Sequence, residues 1–151
     1  MVKINIVAVG KVKEAYFRDA IAEYSKRLNK FCQINMIEVK EENLLDSKKS
    51  LQEEAKSIIP KLKGKSIALA IEGKQIDSVE LSKTISKAIS CGEELTFVIG
   101  SSCGLDDSVK NSVTEKISFS KMTFPHTLAR VILFEQVYRA FTILSGSTYH
   151  K

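Results

Sequence analysis

Two kinds of apolar stretch alternate along almost the whole chain: short continuous runs, and stretches in which apolar residues recur every three or four positions. Short β-branched runs, such as Val2–Val9 and Leu95–Ile99, have the composition of strands that are buried on both faces. Between these runs, apolar residues recur at spacings of three and four, which is typical of amphipathic helices. Strands that alternate with helices predict an α/β fold, with a mostly parallel sheet and helices on both of its faces.

The two kinds of stretch predict the individual elements. The strands are expected at Val2–Val9, Gln33–Val39, Ser66–Glu72, Leu95–Ile99 and Ile117–Ser120. The helices are expected at Phe17–Leu28, at Leu51–Leu62 with Pro60 or Gly64 as the stop, at Asp77–Gly92, from Asp106 onward, and from Thr127 as N-cap to Ser145 before Gly146. A chain of 151 residues without a linker predicts a single domain, residues 1–151.

The last predicted helix is apolar on two faces. Its apolar residues form two rows, namely Ala129, Leu133, Val137, Ala140 and Leu144, and Val131, Phe134, Tyr138 and Phe141. A helix that is apolar on most sides is buried on most sides. Because a chain of 151 residues offers one core, the second row predicts a homodimer; the alternative is a central helix in a larger monomeric core, for which the chain has little material. Arg130 and Arg139 interrupt the helix, and each is interpreted as either an ion pair across that interface or a phosphate contact.

The amino-acid composition indicates which kinds of partner and which compartment suit the protein. The formal net charge of +5 favours a polyanionic partner. The basic residues near the N-terminus form either a surface for phosphates or a solvated helix face: Lys11, Lys13, Lys26, Arg27 and Lys30. Three cysteines without a CxxC pair indicate a reducing compartment and no disulfide framework, and no residues have metal-ligand spacing. The absence of that spacing predicts a protein without a metal, and the absence of a signal peptide or membrane-spanning run predicts that it is soluble and cytoplasmic.

Ligands of open parallel sheets bind beyond the carboxyl ends of the strands. This rule selects the turns Glu72–Lys74, Gly100–Leu105 and Lys121–Pro125. The sequence GSSCG in the second turn indicates either close approach of the backbone to a ligand or a simple tight turn. The first turn, Gly10–Lys13, lacks GxGxxG, which argues against a nucleotide-dependent oxidoreductase.

Three further positions carry reactive side-chain types. His126 follows Pro125 at the helix entrance, where its ring is expected to cap backbone groups. Cys103 has no His near it in the sequence, so a small buried thiol is favoured over a nucleophile. The tail, Gly146–Lys151, is expected to fray.

Four motifs together resemble one family. They are NIVAVGKVKEAY near the start, IALAIEGK at Ile67–Lys74, FVIGSSCGL at Phe97–Leu105, and FSKMTFPHTLARVILFEQVYRAF with the closing YHK. These motifs are similar to those of the ribosomal RNA large subunit methyltransferase H family, within the knotted SPOUT methyltransferases. The resemblance covers essentially the whole chain.

The resemblance implies a fold and an activity. The fold is a C-terminal trefoil knot in a homodimer packed through the last helix, and the methyl donor is S-adenosyl-L-methionine (S-adenosylmethionine). The substrate is a pseudouridine in 23S ribosomal RNA of the large subunit, methylated at N3 on the assembled ribosome. The implied cofactor contacts are Leu69, Gly100, Phe119, Ser120, Lys121, Met122, Thr123 and Phe124. The implied catalytic residues are Tyr149, His150 and Lys151.

Two residues depart from the pattern of the family. Ser101 stands where relatives have the second glycine of IGG, and Ala70 stands where they often have an acid. Ser101 motivates an alternative function, a non-catalytic module that binds RNA or the ribosome with the same fold. On the enzymatic hypothesis, His150 removes the N3 proton or orients the base, Tyr149 contacts the extruded base, and Lys151 meets a phosphate. The tail would then be ordered only by RNA or by the partner subunit.

Overall fold

A computed structural model describes residues 1–151, and five parallel strands form its single sheet. The strands are β1 (Lys3–Val9), β2 (Gln33–Val39), β3 (Lys65–Gln75), β4 (Leu95–Ile99) and β5 (Glu115–Ser118). The helices are α1 (Ala15–Leu28), α2 (Ser47–Ile58), α3 (Ser78–Cys91), α4 (Asp107–Ser112) and α5 (His126–Leu144), and a 3-10 turn follows α2 at Ile59–Lys61. The predicted α/β class and the alternation of elements are confirmed.

The strand order is β2-β1-β4-β3-β5, and every neighbouring pair is parallel. The carboxyl ends of all five strands therefore meet at one edge of the sheet. One face of the sheet packs against α1, α3 and α5 through a cluster of 20 buried residues. The other face packs against α2 and α4 through a cluster of 9 buried residues. Helices on both faces, as the sequence predicts, explain why the strands are apolar throughout.

Side-chain caps fix the start of three helices, and at α2 the Asp46 carboxylate accepts a hydrogen bond from the Lys48 N–H at 3.0 Å. The Asp77 carboxylate accepts a hydrogen bond from the Glu80 N–H at 2.8 Å, and the Asp106 carboxylate accepts one from the Ser108 N–H at 3.0 Å. The predicted N-cap at Thr127 is wrong, because α5 already begins at His126, directly after Pro125. Pro125 itself occupies the N-cap position, with an extended ψ of 137°, and no side chain caps the helix there.

The predicted β5 is displaced by two residues. The sequence places it at Ile117–Ser120, whereas the strand ends at Ser118 because its pairing with β3 ends there. The Ser118 hydroxyl donates to the Ser120 carbonyl at 2.9 Å, and the chain turns away from the sheet. None of the helices has the length and apolarity needed to cross a membrane.

Candidate active site

A cavity of about 160 Å³ lies at the carboxyl edge of the sheet, where β3, β4 and β5 end. Three stretches of chain surround it, together with the first turn of α5. Its lining comes from Leu69–Ile71 after β3, Ile99–Ser101 and Gly104 after β4, Ile117–Ser120 and Met122–Phe124 after β5, and His126 and Ala129 of α5. The cavity continues into a larger cleft of about 640 Å³, which reaches Glu72 and Lys110.

Gly100 allows the backbone at the start of the turn after β4 to pass close to the Gly104 carbonyl. A Cβ atom at this position would overlap the Gly104 carbonyl, so only glycine fits. The Gly104 N–H donates to the Ser101 carbonyl at 2.9 Å and closes the turn. Ser101 is buried, and its hydroxyl oxygen accepts a hydrogen bond from the Cys103 N–H at 3.3 Å. The turn therefore accommodates the serine that departs from the pattern of the family.

β3 leaves the sheet and returns to it beside the cavity. Both Leu69 and Lys74 lie opposite Ile117 of β5, so the residues between them form a bulge. Ala70 and Ile71 of this bulge line the cavity. A Cβ atom on Gly73 would come within 2.6 Å of the Ile117 backbone, so glycine is required where the two chains pass each other.

The segment after β5 forms the outer wall of the cavity. The Ser120 hydroxyl accepts a hydrogen bond from the Met122 N–H at 3.0 Å and closes a tight turn. Met122 is 73% exposed although it lines the cavity, so its side chain lies at the mouth. Lys121 is exposed and does not line the cavity.

The first turn of α5 closes the remaining side. The first N–H groups of a helix have no partner within the helix, and no side chain caps them here. His126 and Ala129 both line the cavity, so these N–H groups lie next to it. The His126 ring makes no hydrogen bond within the chain, and the predicted capping role is therefore wrong. This end of α5 favours a ligand with a carboxylate or another negatively charged group.

The tail lies at the opposite end of α5. The Tyr149 ring packs edge-on against Tyr138 with centroids 5.0 Å apart, and the Arg139 guanidinium lies 4.8 Å from the Tyr149 ring centroid. Arg139 Nη1 lies 3.1 Å from His150 Nδ1. Burial raises the pKa of Tyr149, and the neighbouring Glu135 carboxylate raises it further. The expectation of a tail ordered only by RNA or a partner subunit is wrong, because aromatic and charged contacts within the chain hold it.

The Arg139–His150 contact determines the tautomer of the ring. A guanidinium can only donate, so Nδ1 accepts and the neutral ring carries its proton on Nε2. The pKa of Arg139 is raised, first by its hydrogen bond to Glu135 at 2.9 Å. In this arrangement His150 has no nitrogen free to accept a proton.

Arg130 is a buried residue whose partners the sequence did not indicate. Only 1% of its side chain is exposed, and it pairs with Glu38 at 2.7 Å. Its Nη2 atom donates to the Val9 carbonyl at 3.2 Å and to the Gly10 carbonyl at 3.1 Å. Both sequence interpretations of Arg130 are therefore wrong. Arg139 likewise pairs within the chain, with Glu135.

The cysteines are the remaining side chains with nucleophilic groups. All three cysteines are free, and Cys103 is exposed, so its expected burial is wrong. Its place in the turn after β4 points the thiol away from the apolar core.

Glu54 of α2 is buried, which raises the pKa of its carboxyl, although a hydrogen bond from the Glu42 N–H at 3.0 Å opposes this shift. No group of three or more potential metal ligands is present.

Seven of the eight residues expected to contact a cofactor line the one cavity; Lys121 is the eighth. The three tail residues expected to be catalytic do not line it. The tail contacts Arg139, which is separated from His126 by about 20 Å of helix at 1.5 Å per residue. Within one chain, the two parts of the expected site are therefore apart.

Comparison with known proteins gives consistent matches. Residues 2–150 match the family described as "Predicted SPOUT methyltransferase". The chain is 48% identical over 158 residues to ribosomal RNA large subunit methyltransferase H of Streptococcus equi subsp. zooepidemicus. This alignment covers 99% of each chain. The chain is 46% identical over 158 residues to the protein of that name from Streptococcus pneumoniae, again with 99% of each chain covered.

A solved structure has a similar fold. The chain superposes on the crystal structure of a methylase family protein from Neisseria gonorrhoeae with a TM-score of 0.59 and 10% sequence identity. The match covers 91% of this chain and 82% of the other. At this identity the likeness supports the fold alone.

Proposed function

Because the chain belongs to the ribosomal RNA large subunit methyltransferase H family of SPOUT methyltransferases, we propose that it transfers a methyl group from S-adenosylmethionine to N3 of a pseudouridine in 23S ribosomal RNA. The substrate is the large subunit in the ribosome, and the enzyme acts in the cytoplasm as a homodimer of one-domain chains, residues 1–151. The observation that carries the proposal is the cavity at the carboxyl edge of the sheet.

The cavity, together with the cleft of about 640 Å³ into which it continues, suits S-adenosylmethionine for two reasons. Its lining combines apolar side chains such as Leu69 and Phe124 with main-chain groups made accessible by Gly100. The amino end of α5 beside it suits the carboxylate of the methionine moiety. When bound, S-adenosylmethionine supplies a methyl group already activated by the positive sulfur. The task of the protein is then mainly to hold two reactants in contact, which is worth about 7 to 11 kcal/mol in well-oriented systems.

We place a trefoil knot in the C-terminal half. The bulge of β3 and the close passage of Gly73 past Ile117 support it, since strands must cross tightly where a chain threads a loop. Phe119–Ser120 and Met122–Phe124 line the same cavity as the ends of β3 and β4, which also fits a threaded path.

The homodimer brings the tail to the cavity. Val131, Ile132 and Tyr138 of α5 remain only partly buried in one chain, which leaves an apolar surface for a second copy. Because the tail of each chain lies far from its own cavity, we propose that Tyr149, His150 and Lys151 complete the cavity of the other subunit. This transfer breaks the Arg139–His150 hydrogen bond and frees Nδ1 to accept the N3 proton. Tyr149 then stacks on the extruded base, and Lys151 contacts a phosphate.

Methyl transfer from tritium-labelled S-adenosylmethionine to ribosomes tests the activity. The wild-type protein should label 23S ribosomal RNA, and mass mapping should place the methyl group on a pseudouridine. Truncation after Thr148 should abolish transfer while calorimetry with S-adenosylmethionine remains nearly unchanged. Ribosome binding without label would instead identify the non-catalytic alternative.

Mixed dimers test whether the tail acts on the other subunit. A chain truncated after Thr148 retains its cavity, and a chain with Ala70→Trp retains its tail but has a filled cavity. Each variant alone should be inactive, whereas co-purified mixtures should regain activity at one of the two sites. Inactive mixed dimers would show that each tail serves its own chain.

A further inference from the structure

A second cavity lies beside the proposed methyl-transfer site, between the β1–α1 connection and β2. Its volume is about 480 Å³, within the range of about 300 to 1,000 Å³ that small-molecule sites occupy. Its apolar lining comes from Val12, Ile21, Ala22 and Met36. We call it the β1–α1 cavity.

The polar rim of the β1–α1 cavity is formed by Lys11, Arg18 and Glu38. Neither Lys11 nor Arg18 has a carboxylate within ion-pair distance, whereas Glu38 is already paired with Arg130. Lys13, two residues further on, is also exposed and unpaired. The rim thus presents cations whose charge is not neutralised within the chain.

The connection that carries these cations is held in place. Val12 is 7% exposed and packs into the core, so the residues on either side of it face outward. Arg18 Nη1 donates to the Lys13 carbonyl at 2.9 Å and fixes the connection against α1. A rim fixed before binding loses little entropy when a ligand arrives.

One turn of α5 separates the two cavities. Ala129 lines the proposed methyl-transfer site, and the next residue, Arg130, contacts Glu38 and Met36 of the β1–α1 cavity. A helix with its side chains is about 10 to 12 Å across. A short run of nucleotides can therefore occupy both cavities.

We propose that the β1–α1 cavity binds an unpaired nucleotide next to the methylated one in the RNA substrate, an inference that rests on the proposed function. Proteins bind single-stranded RNA by stacking its splayed-out bases on aromatic rings or arginine guanidinium planes and by contacting the backbone with cations, and the Arg18 guanidinium is the planar group that this cavity offers. The apolar lining receives the faces of the base, with Met36 as an adaptable contact. Lys11 and Lys13 contact the flanking phosphates.

Affinity for ribosomes tests the cavity. Ala22 is exposed on α1, so Ala22→Phe fills the cavity without entering the core. Loss of one base contact should weaken ribosome binding in co-sedimentation by about 5- to 10-fold, the low end of what a stacked base contributes, because no aromatic ring lines the cavity; calorimetry for S-adenosylmethionine should be unchanged. The matched control, Ser90→Phe, adds the same ring at an exposed position on α3 and should bind as wild type. Wild-type affinity of Ala22→Phe would overturn the proposal.

The salt dependence of binding tests the rim. Removing two contacts to single-strand phosphates should reduce the slope of log affinity against log salt by about 1.4. We expect this for Lys11→Gln combined with Lys13→Gln, and no change for Lys3→Gln with Lys87→Gln, which alters net charge equally at exposed positions elsewhere. Equal slopes for the two double variants would overturn the proposal. Because binding is measured without turnover, ribosome binding by a wild-type protein that transfers no methyl group refutes the proposed function alone.

Discussion

Replacing Arg130 by methionine tests the ion pair at the ends of β1 and β2. The change removes the partner of Glu38 and leaves the carbonyls of Val9 and Gly10 without their donor. Breaking a buried pair by removing one partner costs about 3 to 5 kcal/mol. Since 30% of the Glu38 side chain is exposed, water can partly solvate the remaining charge, and we expect about 3 kcal/mol.

Urea unfolding followed by circular dichroism, at a fixed protomer concentration, measures this loss. A loss of about 3 kcal/mol corresponds to a fall in melting temperature of about 6 to 12 °C for a chain of this size. Adding Glu38→Gln should recover at least about 1 kcal/mol, because the double variant no longer holds an unpaired charge. Lys56→Met, which breaks an exposed pair with Glu53, is the matched control and should leave the unfolding midpoint nearly unchanged.

Two results would refute this reasoning. A loss below about 1 kcal/mol for Arg130→Met would mean that the guanidinium contributes no more than an exposed pair. A double variant no more stable than the single one would mean that the cost comes from packing rather than from the abandoned carboxylate of Glu38.

Three further predictions concern other parts of the chain. Gly73→Ala should lower the free energy of unfolding by about 1 to 3 kcal/mol, because its Cβ would press on the Ile117 backbone; an unchanged urea midpoint would contradict this. Burial raises the pKa of Cys32 to about 12, so iodoacetamide at pH 8 should modify the exposed Cys91 and spare Cys32 until the protein unfolds, as peptide mapping can check. The pKa of Glu54 is raised by burial, so its favourable contribution is complete below about pH 4.3 and is lost as pH rises through the folded pKa. Glu54→Gln should therefore gain stability relative to wild type between pH 4 and pH 8 in urea titrations, and a constant difference would contradict it.

The sequence predicted the elements better than their arrangement. Gln33–Val39 and Leu95–Ile99 match the observed strands residue for residue, because apolar period and β-branching are local properties. The order β2-β1-β4-β3-β5 depends on pairings between distant segments, and hydropathy does not encode them. The end of β5 was misplaced for the same reason, since its pairing with β3 decides where it stops.

The candidate site could be located from the sequence, although its contacts could not. The rule about carboxyl ends selected turns whose neighbourhoods line one cavity, because the geometry of a parallel sheet brings those ends together. The prediction for the tail was wrong because its contacts depend on how the chain folds back. Tyr149 and His150 contact Tyr138 and Arg139, which lie eleven positions earlier. These contacts form only when the earlier residues lie on a helix and face the returning chain. Composition predicts fraying at a terminus and cannot show such a contact.

Arg130 shows why a charged residue in an apolar helix is ambiguous in sequence. Its partner Glu38 lies 92 residues earlier, on a strand whose position in the sheet the sequence did not determine. The Arg130 guanidinium binds the main chain at the end of β1. The preceding residue, Ala129, lines the cavity at the carboxyl ends of β3 and β4. The first turn of α5 is thus fixed to one half of the sheet and forms a wall of the site on the other half. A change at Arg130 should therefore weaken S-adenosylmethionine binding as well as stability, even though the side chain does not reach the cavity.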